Sequence, residues 1–94
     1  MSFGPIEVDD ERHRVAVNGT EVELTFKEYG LLKYLLQNSG SAVSRDRLME
    51  AVWGFAFTGE TRTVDMHIKT LRKKLGDAGQ LIETVRNVGY RLGR

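Results

Sequence analysis

The chain has 94 residues, no cysteine, 40% hydrophobic and 29% charged residues, and a formal net charge of +1. This length allows one domain with a real core, and the lack of cysteine excludes disulfides and thiolate metal sites. No apolar run reaches the roughly 20 residues that cross a bilayer, and the opening MSFGPIEVDDER lacks a secretory leader's basic flank and apolar segment, so a cytoplasmic protein without membrane contact is expected.

Residues 1–24 read as a small antiparallel sheet. Ile6 and Val8 alternate with acids, and Val15 and Val17 precede Asn18-Gly19, a pair suited to a hairpin turn in which both residues take positive φ. Residues 25–76 read as three helices. Thr25 and Glu28 form a capping box for the first, with Phe26, Tyr29, Leu32, Leu35 and Leu36 as its apolar stripe and Gly40 as its stop. Gly30 inside this helix costs about 1 kcal/mol relative to alanine. Ala42-Val43 is a short extended segment, and Ser44 caps a second helix that ends at Gly54.

After a loop with two aromatics, RTVDMHIKTLRKKLG (Arg62–Gly76) is the third helix, spanning about residues 61–75. Beyond DAGQ, Leu81–Val85 and Tyr90–Leu92 read as a hairpin within residues 81–92, with Gly89 at a positive-φ turn position. Sheet, three helices and hairpin together make an α+β winged helix-turn-helix, with all 94 residues in a single domain.

The small net charge conceals a division. Residues 1–61 carry six Lys/Arg against ten Asp/Glu, and residues 62–94 carry eight against three. The basic end is suited to an anionic partner. On a wheel of the third helix, Ile68, Leu71 and Leu75 lie within about 40° of Val64. Arg62, Met66, Lys69 and Lys73 lie opposite, flanked by Thr63 and Thr70, with His67 and Lys74 on one edge and Asp65 and Arg72 on the other. Such a face either is merely solvated or reads a groove, with cations for phosphates and short or apolar groups for base edges. Arg86 and Arg91 in the hairpin favour the second reading, because a wing-tip arginine can enter a minor groove. Asp65 reads as an intrahelical partner of Lys69.

SR-x-x-L-x-x-x-VWG, RTVDxHIxxLRKKL and TVRxxGYR, in that order, resemble the C-terminal DNA-binding domain of OmpR/PhoB-type bacterial response regulators, from Ile6 onward. The resemblance implies sequence-specific binding of double-stranded promoter DNA and regulation of transcription within a two-component phosphorelay. It implies phosphate contacts from Trp53, Arg62, His67, Lys69 and Arg72, which Lys73 joins on the wheel alone. It places Thr70 and Met66 at base edges, and Thr84 and Arg86 where the wing meets phosphate and the minor groove. Where Thr70 stands, many relatives have arginine or another long side chain, so a different base preference is expected. The loop Gly54–Glu60 corresponds to a segment that contacts RNA polymerase in relatives. Phe55 and Phe57 are candidates for that surface, or they pack back onto the core.

The family's receiver domain, phosphorylated by a sensor histidine kinase, is not encoded in these residues. The chain thus reads as an excised domain or a standalone regulator, monomeric alone and tandem on DNA. The alternative is a winged-helix interaction module for an acidic protein partner. No catalytic motif, cofactor loop or metal-ligand spacing is present. His13 and His67 stand apart, and Asp9, Asp10 and Glu11 read as a solvated loop. No enzyme activity, cofactor or metal is expected.

Overall fold

In the computed structural model, which describes residues 1–54 and 59–93, the alternating N-terminal segment forms a four-stranded antiparallel sheet. Its strands β1 (Ser2–Phe3), β2 (Ile6–Asp9), β3 (Arg14–Val17) and β4 (Thr20–Val22) pair in chain order. Ile6, Val8 and Val15 point into the core while Glu7, Asp9 and Arg14 face water. Asn18 (φ 51°) and Gly19 (φ 81°) make the β3–β4 turn with the left-handed backbone their sequence suggests. β1 has no counterpart in the sequence reading. Two residues are too few to show alternation, and the strand owes its place to pairing with β2.

Helix α1 (Phe26–Gln37) starts with the expected capping box. Thr25 N–H donates to Glu28 Oε1 at 2.8 Å, and Glu28 N–H donates to Thr25 Oγ1 at 3.2 Å. Its buried apolar residues are Tyr29, Leu31, Leu32, Leu35 and Leu36. The stripe drawn from the sequence needs one correction: Phe26 is 72% exposed, because the first turn extends past the core, and it stacks beside His13. Leu31 takes a place inside because α1 is enclosed by α2 (Arg45–Trp53), α3 (Arg62–Leu75) and the C-terminal strand β7 (Gly89–Leu92). Gly30 allows the crossing with α2. A Cβ there would sit 3.1 Å from Val52 Cγ1, so the helical cost of glycine is offset by closer packing.

Ser44 closes the short strand β5 (Val43–Ser44) and also caps α2, its Oγ accepting from Arg47 N–H at 3.1 Å. Helix α3 seats Val64, Ile68, Leu71 and Leu75 in the core, as their four-three-four spacing requires. A 3₁₀ turn at Gly76–Leu81 replaces the open connection read from DAGQ. Strand β6 (Ile82–Val85) and β7 then form the hairpin, and β5 adds to its other side in the order β5-β7-β6.

The expectation for Gly89 is also corrected. The positive φ in the wing belongs to Asn87 (64°), while a Cβ on Gly89 would meet Val43 O at 2.1 Å. Glycine stands there because two backbones touch. Phe55 and Phe57 lie outside the described residues. No helix among the described residues is long and apolar enough to cross a membrane.

Candidate nucleic-acid interface

The outward surface of α3 separates into three stripes. The central stripe holds Arg62, Met66, Lys69 and Lys73, all exposed, and Met66 is 62% exposed. The side chains of Arg62, Lys69 and Lys73 have no hydrogen-bond or ion-pair partner among the described residues. Three cations, unpaired among the described residues, therefore run along the helix with an apolar side chain between them.

One edge is tied to the C-terminal sheet. Arg72 Nε and Nη2 donate to Ile82 O at 3.0 and 2.6 Å, and Nη2 also donates to Thr84 Oγ1 at 2.9 Å. Asp65 is not a partner of Lys69, contrary to the i,i+4 expectation. It accepts Arg45 Nε at 2.7 Å and the Tyr90 hydroxyl at 2.5 Å, because both groups lie directly beside the helix. Burial would raise the Asp65 carboxyl, but these two bonds outweigh it and hold it below its ordinary value. Tyr90 is buried, and the guanidinium groups of Arg45 and Arg72 lie 5.2 and 5.4 Å from its ring centre. The wing is thereby fixed to the helix. Arg86 lies exposed at its turn, its side chain without a partner among the described residues.

The other edge is tied to α1 and α2. His67 Nδ1 is 2.8 Å from Thr63 O, and its ring meets Trp53 edge-on at 5.0 Å between centroids. Lys27 Nζ donates to Val52 O at 3.1 Å and lies 5.3 Å from the Trp53 ring centre, which adds a cation at the end of α2. Thr70 Oγ1 donates to Glu28 Oε2 at 2.5 Å, and Lys74 Nζ donates to Glu28 Oε1 at 2.7 Å.

Glu28 is 2% exposed. Burial alone would push its carboxyl up, but bonds from Lys74, Thr70 and Thr25 overcome this and hold it down at about 2. A carboxyl depressed from 4.5 to about 2 adds stability that is complete above 4.5 and fades as pH falls toward 2. Urea unfolding of the Glu28→Gln variant should show about 3 kcal/mol less stability than wild type at pH 7, with the gap closing between pH 4.5 and 2. A gap unchanged across that range would contradict the assignment.

The sequence-derived residues thus divide. Arg62, Met66, Lys69, Lys73 and Arg86 are open to a partner. Trp53, His67, Thr70, Arg72 and Thr84 stand beside them but are each bonded or stacked within the protein. Glu28, Arg45, Lys27 and Tyr90 were not legible as interface supports, because their partners on α2 and α3 lie at least 20 residues away in the chain. The acidic turn is also paired. Asp9 meets Arg12 at 3.0 Å, and Asp10 meets Lys33 at 3.0 Å and accepts the Tyr29 hydroxyl. Among the described residues, no three or more His, Cys, Asp or Glu side chains cluster so as to hold a metal ion.

A three-helix core, a basic outward helix and a hairpin locked beside it define a winged-helix domain of the helix-turn-helix class. The family described as transcriptional regulatory protein, C terminal, matches residues 19–92, and the chain belongs to that family of OmpR/PhoB-type domains. It is 45% identical over 95 aligned residues to the sensory transduction protein RegX3 of Mycobacterium tuberculosis, covering 98% of this chain and 42% of RegX3. Its fold is similar to a crystal structure of the response regulator AdeR DNA-binding domain in complex with an intercistronic region. That match has a TM-score of 0.90 and 32% identity, and it covers 100% of this chain and 99% of the other. It is also similar to the Klebsiella pneumoniae RstA DNA-binding domain in complex with the RstA box, at TM-score 0.87 and 34% identity, over 99% and 95% of the two chains.

Proposed function

We propose that the chain binds double-stranded promoter DNA in a sequence-specific manner, as the effector part of a two-component response regulator that controls transcription. The observation that carries this reading is the central stripe of α3: three cations, unpaired among the described residues, around Met66, beside a fixed wing that presents Arg86. In this arrangement α3 enters the major groove and Arg86 points toward the minor groove. The AdeR and RstA structures, each described with its DNA, support the reading.

Since the chain spans 42% of RegX3, a receiver domain, a sensor kinase acting through it and tandem docking on two half-sites belong to this proposal. So do RNA polymerase contact through the loop at 54–60, a cytoplasmic location and the absence of catalysis. The test is chemical-shift mapping with duplex DNA. Shifts concentrated in residues 62–73 and 84–91 are expected. No shifts even at low salt would favour an acidic protein partner.

A further inference from the structure

Thr70 stands on the outward side of α3, yet its hydroxyl is not free. Its single proton is donated to Glu28 Oε2 at 2.5 Å, and the oxygen also lies 3.0 Å from His67 O. A hydroxyl so held has no proton left for the N7 or O6 acceptors of a purine, and it sits between two other acceptors. Glu28 cannot readily release it. The carboxylate is enclosed, and its other oxygen is occupied by Thr25 N–H and Lys74 Nζ. Thr70 itself remains exposed, so what it retains for a partner is its methyl and the lone pairs of a hydroxyl oxygen turned toward two acceptors.

We propose that Glu28 is a positioning residue for sequence choice. By drawing the Thr70 hydroxyl inward it leaves a methyl on the reading face, and that methyl selects the 5-methyl group of a thymine. This inference rests on the DNA-binding reading above and adds to it the base and the group that reads it. Apolar contact with the thymine methyl is the major-groove signal that a side-chain methyl reads without giving a proton. Lys74 is drawn to the same carboxylate, which leaves the cations of the central stripe to meet phosphate.

Two substitutions separate methyl from hydroxyl. Thr70→Val keeps the methyl and removes the hydroxyl, while Thr70→Ser does the reverse. Binding sites are selected from a random duplex pool by wild type and both variants, with folding checked by circular dichroism. Wild type and Thr70→Val should enrich the same sites, including one thymine position whose preference Thr70→Ser loses. Replacing that thymine by uracil should weaken wild type and Thr70→Val about fourfold, the worth of one buried methyl, and leave Thr70→Ser unchanged.

Glu28→Ala, if folded, should broaden the same position to purines. Should it unfold, the two Thr70 variants decide alone. Equal binding of the uracil site by wild type, or a shift in preference with Thr70→Val as large as with Thr70→Ser, overturns the inference while leaving DNA binding intact. If wild type enriches no sequence at all, the DNA reading falls and the inference with it.

Discussion

Raising salt from 50 to 200 mM should weaken binding of a selected promoter duplex about 300- to 1,000-fold. The estimate follows from counterion release: about five neutralised phosphates give a slope of log K against log salt of about −4 to −5. Arg62, Lys69, Lys73 and Arg86 supply four cations without internal ion pairs among the described residues, and Arg72 supplies the fifth from the edge of the stripe. Removing one free cation should lower the steepness as well as the affinity. Lys69→Ala is expected to weaken all sequences alike and to reduce the slope by about 1. Fluorescence anisotropy over a salt series measures both quantities. A flat salt dependence would count against the whole assignment, and an altered base preference in Lys69→Ala would show that the orientation of α3 is wrong.

Gly89→Ala should cost about 3 kcal/mol or more and lower the melting temperature by about 15 °C. Its backbone φ is one that alanine adopts, so strain in the dihedral is not the reason. A Cβ would come 2.1 Å from Val43 O and 3.0 Å from Ser44 Cα. Both atoms belong to the backbone of β5, so relief requires β5 to leave β7, breaking the pairing of Val43 with Tyr90 and of Ser44 with Gly89. Asn87→Gly provides the contrast. It changes the residue that does have positive φ and should stay within about 0.5 kcal/mol of wild type. Thermal and urea melts of the two variants test this directly. Tolerance at Gly89 with sensitivity at Asn87 would mean that the wing is built the other way round.

Much of the fold was legible because it is written in local periodicity. Val64, Ile68, Leu71 and Leu75, the Thr25–Glu28 capping box and the Asn18-Gly19 turn each depend on neighbours within a few residues. Phe26 misled because its spacing fits the stripe, while burial depends on how far the core reaches along the helix. Gly89 misled because glycine answers two different needs, positive φ and absent bulk, and the sequence does not distinguish them.

At the interface, the wheel correctly separated the apolar face of α3 from its outward face. What it could not show was which polar groups are already engaged. Asp65 has a lysine four residues on, yet it turns to Arg45 and Tyr90, whose proximity arises only once the wing has folded back. Thr70 and Glu28, 42 residues apart, could not be linked from their spacing.

Ser44, which is both a strand residue and a helix cap, has a consequence for the kinetics of recognition. Because β5 joins the wing to the start of α2, and Tyr90 joins the wing to α3, α3 and the hairpin form one preassembled body. Little chain entropy remains to be lost when a duplex arrives. Association should therefore be governed by diffusion and charge rather than by a folding step, so differences in affinity among related sites should reside mainly in the dissociation rate.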